Sequence, residues 1–425
     1  MTTKRIPLYG WYGDDFTGST DTLATLAERS FRALLFLRQP SEAQLAAAGP
    51  LDAIGIAGAS RAMAPEAIAA ELAEVGRFFA GQGVGLMHYK CCSTFDSAPH
   101  IGSIGAAVAA LKPFFQNPLL PILGGQPNLG RFCLFGNLFA ASGDGTIHRI
   151  DRHPTMSRHP VTPMAEADLR RHLAAQGLEG IGLVDYRAYA DGSSAPATPP
   201  DGSPAVLFDV ATEADLMAIG ELLATSLVNG PMLAVGASSV ARAFVAGHGK
   251  AVISASASDA KYCGAGPVLA LVGSLSPVTR AQVEAAKGYT ILSVDAGRLL
   301  ADERYAGGLY ATALSELARG DVMLVTEKPE GIPTAASAVA EATGALLAAI
   351  IAEARLGRLI VAGGDTSTMA IRSLPLWGLS YRGPCVPGAP LCRAYSDDAR
   401  LEGLDIVLKG GQMGPPSFFN EAARA

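Results

Sequence analysis

The chain has 425 residues, 49% hydrophobic and 17% charged, with a formal net charge of −6. That length provides for two domains with sizeable cores, and a mildly acidic balance without a long Lys/Arg run argues against a nucleic-acid footprint. No unbroken apolar run approaches the ~18 residues of a membrane span, and the first residues carry no apolar h-region of a secretory signal, so a soluble cytoplasmic protein is expected.

Short apolar runs that end in Gly, Asp or Ser alternate with helical patterns along the chain. The first run, near Leu8 to Trp11, leads through Tyr12-Gly13-Asp14-Asp15-Phe16-Thr17-Gly18-Ser19-Thr20-Asp21 into a helix expected to reach about Arg29. Asp14 and Asp15 at a strand end can accept hydrogen bonds from hydroxyl groups or take a proton in catalysis. Thr17, Gly18 and Ser19 place N–H groups at a helix start, where an anion is stabilised. The same cluster also reads as an Asp N-cap on an ordinary βα turn, although paired Asp beside Thr-Gly is denser than a cap requires. The next run, 52–58, ends in Ser60-Arg61, whose guanidinium offers a rigid fork for a carboxylate. The run 84–90 ends in Lys90-Cys91-Cys92-Ser93-Thr94-Phe95-Asp96-Ser97, where a Lys, hydroxyls and an Asp suit a pocket for a hydroxylated acid or, equally, a solvated loop.

Further strands are expected at 131–136, 205–209 and 232–236, a helix from Thr162-Pro163 to about Gln176, and another from the cap-like Thr212-Glu-Ala-Asp215 through Leu227. The segment 191–202, mixing Pro and Gly with small residues, reads as a surface insertion. A stretch rich in small and polar residues, 249–264, reads as a linker. It would join a first domain over 1–248 to a second over 265–425.

In the second half, strands are expected at 268–273, 289–294, 321–325, 358–362 and 404–408, and a long buried helix over 335–355. After the first of these comes Gly273-Ser274-Leu275-Ser276-Pro277, a turn of small hydroxyl residues that suits a nucleotide phosphate or ribose, or else a Ser N-cap. After 358–362 come Gly363-Gly364-Asp365-Thr366-Ser367-Thr368, where glycines let the backbone approach a phosphate and the helix start binds it. The last strand leads into Lys409-Gly410-Gly411, a further phosphate or adenine contact or a plain glycine turn. Strands alternating with helices imply an α/β fold of two domains, each a mostly parallel sheet flanked by helices. Ligands in such folds gather at the carboxyl ends of the strands.

Several familiar signatures are missing. Gly249-Lys250 has Phe244 where the first Gly of a Walker A box belongs and Ala251 after the Lys. No Gly-x-Gly-x-x-Gly follows a strand, and no Gly-x-Ser-x-Gly elbow appears. The six cysteines, Cys91, Cys92, Cys133, Cys263, Cys385 and Cys392, form no Cys-x-x-Cys pair and have no His at zinc spacing, so they read as reduced thiols and no protein-held metal is expected. His88 lies in a strand and reads as a satisfied core or pocket histidine. His148, His153 and His159, interleaved with Arg149, Arg152 and Arg158, read as a solvated polar loop or an anion-facing surface.

The order Asp14-Asp15-Phe16-Thr17-Gly18, Ser60-Arg61, 90–97, Gly273-Ser274, Gly363-Gly364-Asp365-Thr366 and Lys409-Gly410-Gly411 resembles the four-carbon acid sugar kinase family over about residues 9–419. The resemblance implies a sugar-acid-binding N-terminal domain and a nucleotide-binding C-terminal domain, with the active site in the cleft between them. It implies ATP and Mg²⁺ as cofactors and phosphorylation of an erythronate, threonate or 3-oxo-tetronate type of acid. Gly363 to Thr366 is similar to the family's Gly-Gly-Glu-Thr, with Asp365 in place of Glu, and Ser274 and Gly410 look like further ATP contacts. The segment 90–97 departs from the family's Lys-x-x-Asp-Ser-x-x-Arg-Gly pattern and lacks its Arg, which brings a branched or oxidised acid such as 3-oxo-isoapionate within range. On this reading Asp14 and Asp15 are the catalytic candidates. Asp14 and Asp15 also contact the acid, with Thr17, Gly18, Arg61, Lys90, Ser93, Thr94 and Asp96, and Ser274, Gly363, Gly364, Asp365, Thr366, Lys409, Gly410 and Gly411 hold ATP. Partners are the small acid and ATP, with no nucleic acid or membrane, and self-association into a homo-oligomer stays open. The rival readings are a non-kinase enzyme and a sensor binding a similar hydroxy acid.

Overall fold

The structure, a computed structural model, describes residues 6–159, 161–189, 202–203, 205–248, 266–327, 336–411 and 413–425. The chain divides into two compact units, residues 1–254 and 255–425. The linker expected at 249–264, the insertion expected at 191–202 (Gly202 apart), Gly249-Lys250 and Cys263 lie outside the described residues.

In the first unit the strands are β1 (Tyr9–Gly13), β2 (Ala33–Phe36), β3 (Ala53–Ala57), β4 (Leu86–Lys90), β5 (Leu120–Leu123), β6 (Arg131–Leu134), β7 (Asn137–Ala141), β8 (Ile147–Arg149), β9 (Ile181–Val184), β10 (Ala205–Phe208) and β11 (Met232–Gly236). Eight of them form a parallel sheet in the order β2-β3-β1-β4-β11-β5-β10-β9. Its central strands β1, β3, β4 and β11 are buried along their whole length, as a sheet covered by helices on both faces demands. Trp11 lies across β3 at Gly55, where any β-carbon would stand 2.2 Å from the indole ring. Burying that ring between the sheet and its helices contributes about 2–3 kcal/mol. Register places Gly13 opposite both Ala57 and Lys90, and Lys90 opposite Gly236. The carboxyl ends of four adjacent strands therefore finish level, and the turns that follow them open side by side.

The strand expected at 131–136 forms, but outside the parallel sheet. It is β6 of an antiparallel three-stranded sheet, β6-β7-β8. Leu134 pairs with Asn137 across a two-residue turn, Phe135-Gly136, with φ of 52° and 78°. Two positive φ values are the signature of a tight I′ hairpin, which reverses the chain and precludes a parallel crossover. The buried carboxylate of Asp209 accepts from both turn N–H groups, at 2.5 and 2.9 Å. The helix expected from Thr162 begins instead at Leu169 and runs to Ala174, capped by Asp168. Thr162 gives its backbone N–H to Nδ1 of His159 and shares its hydroxyl with the same ring nitrogen, so it closes a local turn.

In the second unit the strands are β12 (Val268–Val272), β13 (Tyr289–Val294), β14 (Asp321–Thr326), β15 (Arg358–Ala362), β16 (Leu376–Val386), β17 (Ala389–Ser396) and β18 (Asp405–Lys409). Their order is β13-β14-β12-β15-β18-β17-β16. The pairs from β13 to β18 are parallel, and β16 and β17 form an antiparallel hairpin on β18. The long helix Ala336–Glu353 buries Leu347, Ile350 and Ile351. The short last helix, Phe418–Ala422, packs Phe418 and Phe419 into the core formed by Val268, Ala270, Ile360 and Val407. It is anchored by the fully buried Arg358, which donates to the carbonyls of Ala422 and Ala425 and pairs with Asp405 at 3.1 Å.

Candidate active site

The turns after β1, β3 and β4 bring four expected residues into one buried cluster. Asp15 is the N-cap of the helix Phe16–Ala27, in extended backbone, and accepts from the Gly18 N–H at 2.9 Å and the Thr17 hydroxyl at 2.6 Å. Arg61, in the turn after β3, grips Asp14 with two parallel bonds of 2.8 and 3.0 Å and reaches Asp15 at 3.1 Å with its third nitrogen. Lys90, the last residue of β4, lies 3.8 Å from Asp15 and 4.0 Å from Asp14. Only Gly18 lets the ammonium in, since a β-carbon there would stand 1.8 Å from Nζ.

Burial and charge separate the two carboxylates. Burial raises the Asp14 carboxyl above the ordinary range, and the neighbouring Asp15 charge adds to this, against the pull of Arg61 and Lys90. For Asp15 the same burial is outweighed by Arg61, Lys90, the Thr17 hydroxyl and the Gly18 N–H, which hold it down at about 2. Two neighbouring acids with opposed shifts are the usual arrangement for distinct roles. Lys90 stays firmly charged: burial opposes its ammonium, and the two aspartates more than compensate.

The loop after β4 adds Thr94, whose hydroxyl donates to Asp96 at 2.5 Å, and Cys92, whose sulfur lies 3.0 Å from that hydroxyl. Ser93 is half-buried in the same loop. Phe95 turns the loop at φ 53°, a conformation that costs a non-glycine residue about 1 kcal/mol or more. Its ring is wholly buried, and its carbonyl lies 3.0 Å from Nε2 of His172. Asp96 is held below the usual carboxylate range: burial works against this, and Arg61 with the Cys92 and Thr94 contacts prevails. Beneath the cluster, Tyr89 stacks on Tyr12 and shares a 3.0 Å hydrogen bond with Ser60.

Sequence reasoning missed one charged side chain at this site. Arg131, first residue of β6, lies within electrostatic reach of Cys92 and Asp96. The period-two pattern of β6 puts it on the same face as Cys133, which is buried beside Gly124. The available signal was that alternation, but it identifies a face only once the hairpin is known. The His/Arg-rich loop is largely structural. His153 is buried and caps the N–H groups of Thr155 and Met156, and Arg149 pairs with Asp151. His88 is the satisfied core histidine expected, between the Tyr9 hydroxyl at 2.8 Å and the Gly236 carbonyl at 3.0 Å.

The second unit brings its expected residues together at the carboxyl ends of β12, β15 and β18. Gly363, at φ 132°, turns β15 into the helix Gly364–Arg372, whose first N–H groups have no side-chain cap. Such an end carries a partial positive charge and unpaired donors suited to a phosphate. A β-carbon on Gly273 would stand 1.9 Å from the Thr366 hydroxyl, so the two turns interlock. The Ser274 and Thr279 hydroxyls lie 3.1 Å apart, and Ser276 and Thr279 both reach the Gly411 carbonyl. Asp365 is exposed in the first helical turn. The fully buried Lys409 donates to the Thr279 hydroxyl at 3.0 Å and the carbonyls of Gly410 and Met413 at 3.0 and 3.3 Å, and burial pushes it down to about 7. Its hydrogens are thus engaged in shaping the Gly410-Gly411 loop. Among the described residues no group of three or more His, Cys, Asp or Glu could hold a metal, and no helix is long and apolar enough to cross a membrane.

Two family models match the chain. Residues 9–244 match a sugar-binding N-terminal domain model and residues 269–419 a nucleotide-binding C-terminal domain model. The 3-oxo-isoapionate kinase of Paraburkholderia graminis is 37% identical, covering 97% of this chain and 93% of that protein. The 3-oxo-tetronate kinase of Cupriavidus necator is 31% identical, covering all of this chain and 98% of the relative. Among solved structures, a Salmonella typhimurium LT2 protein provisionally named a tRNA synthase is similar at a TM-score of 0.77 and 27% identity, covering 98% of both chains.

Proposed function

The chain belongs to the four-carbon acid sugar kinase family, and from that premise we propose that it transfers the γ-phosphoryl group of MgATP to a hydroxyl of a small oxo sugar acid. The observation that carries the phosphotransfer reading is the uncapped helix start after Gly363, with its backbone donors in the turn that Gly273, Thr366 and Lys409 close. Phosphoryl transfer asks a protein mainly for positioning and charge neutralisation. The N–H groups of Gly364, Asp365 and Thr366 would take a terminal phosphate, and Ser274, Gly410 and Gly411 would border the nucleotide. Mg²⁺, when bound with ATP, would supply neutralisation of the phosphate charge.

The acid would sit over Asp14, Lys90 and Asp96. Asp14, raised by burial, suits the role of accepting the proton of the attacking hydroxyl. Asp15 is engaged as a helix cap and shares the charges of Arg61 and Lys90 with Asp14. The relatives' names point to 3-oxo-isoapionate and 3-oxo-tetronates as the first acids to try. An ADP-coupled screen of four- and five-carbon sugar acids, oxidised and branched forms included, tests the reading. Saturable, acid-dependent ADP release is expected, and a protein that binds ATP and turns over none of these acids would sink it.

A further inference from the structure

We infer that Arg131 binds the carboxylate of the substrate and selects acids over neutral sugars. The inference rests on the reading above that the substrate is a sugar acid.

The sequence suggested Arg61, Lys90 or the N–H groups at Gly18 for that task, and the structure engages all three with the protein's own aspartates. Arg61 is bonded bidentately to Asp14 and paired with Asp15, Lys90 lies between the same two carboxylates, and the Gly18 N–H donates to Asp15. A further carboxylate placed there would meet charges already compensated. Arg131 differs. Among the described residues it forms no ion pair; one terminal nitrogen donates to the Leu129 carbonyl, and its Nε is buried without a partner.

A guanidinium stays charged in proteins, and burying it with unused donors is unfavourable unless an anion arrives. Its planar fork matches a carboxylate. The hairpin holds it firmly, since Arg131 exchanges both backbone hydrogen bonds with Gln126 and pairs with Ala140. The charges of Asp96 and Cys92 act on Arg131, and both belong to the loop that carries the hydroxyl-binding candidates, so an acid gripped at Arg131 would present its hydroxyls toward that loop.

Calorimetric titration of erythronate, threonate and their carboxamides into wild type, Arg131→Gln and Arg131→Lys tests this. Losing a charge-assisted bidentate contact predicts acids bound about 10- to 100-fold more weakly by Arg131→Gln, a smaller loss in Arg131→Lys, and carboxamides bound equally by all three proteins. Equal acid affinity in wild type and Arg131→Gln would overturn the assignment, as would parallel losses for acid and amide, the mark of a structural role. A wild type that binds neither acid overturns it too. If the wild type binds acids in the Arg131-dependent manner but releases no ADP with ATP present, the kinase reading fails and the anchor stands. Should Arg131→Gln fail to fold, Arg131→Lys carries the same acid-against-amide comparison.

Discussion

A β-carbon on Gly18 would stand 1.8 Å from Nζ of Lys90, so the end of β4 and the first turn of the helix after Asp15 meet only because position 18 has no side chain. Gly18→Ala brings the helix preference of Ala, up to ~1 kcal/mol, but its β-carbon would also stand 2.7 Å from the capping Asp15 Oδ1. It should push the ammonium away from Asp14 and Asp15. The expected result is a kcat/KM at least about tenfold lower, the scale of one weakened charge-assisted contact, with a lowered Tm, because a buried ammonium loses its counter-charges. Wild-type kcat/KM in this variant would show that the placement of Lys90 is immaterial.

Asp14 and Asp15 are neighbours with opposite shifts, and substitution should separate them. Asp14→Asn removes the candidate proton acceptor and should lower kcat by about 10²–10⁴-fold with a modest change in KM. Asp15→Asn keeps an equally good helix cap and should lower activity less. The raised Asp14 carboxyl also predicts a pH–rate profile whose acid limb lies above the ordinary carboxylate range, because the base is protonated as pH falls. The reverse ranking of the two variants would transfer the base role to Asp15.

His88 predicts a stability profile. Burial, aided by the Lys90 charge and opposed by the hydrogen bond to the Gly236 carbonyl, holds its imidazole down at about 3, whereas the unfolded chain titrates near 6.5. The folded state therefore favours the neutral ring. Its contribution is complete above about pH 6.5 and is lost as pH falls toward 3, at up to about 1.4 kcal/mol per unit. Denaturant unfolding at pH 7.5, 6 and 5 should show that slope, and His88→Asn should be flatter across the same window. Parallel profiles for the two proteins would mean that His88 does not govern the acid limb.

The site of the first unit was legible because each of its residues follows a short buried strand directly. Asp14 and Asp15 follow β1, Ser60-Arg61 follow β3, and Lys90 ends β4. The capping box at Thr212 and Asp215 was legible for the same reason, since both partners lie within one turn. What escaped depends on longer-range pairing. β16 and β17 were missed because Gly378, Gly383 and Pro384 interrupt the apolar pattern, and the hairpin carries register shifts at those places. Thr162-Pro163 has the chemistry of a helix start, but the competing partner His159 takes its hydroxyl and N–H. For Arg131 the alternation of β6 was too little, because its placement is set by the hairpin, whose turn Asp209 holds from more than seventy residues away in sequence.

Lys409 supplies the last prediction. With no partner charge among the causes of its shift, burial alone brings it down to about 7, far below the 10.4 of an unfolded lysine. The free protein therefore binds fewer protons here than the unfolded chain between pH 7 and 10, and its stability should rise with pH across that window. Nucleotide phosphates held by Gly364 to Thr366 and the Gly410-Gly411 loop would favour the charged form, so ATP binding at pH 8 should draw up to about one proton from solution. Titrating ATP in HEPES and in Tris reads this directly, since proton uptake makes the observed enthalpy depend on the buffer's ionisation enthalpy. The dependence should vanish near pH 5.5, where Lys409 is already charged, and at pH 8 in Lys409→Met. Buffer-independent enthalpies at pH 8 would place the phosphates beyond the reach of Lys409 and confine it to holding the Gly410–Met413 turn.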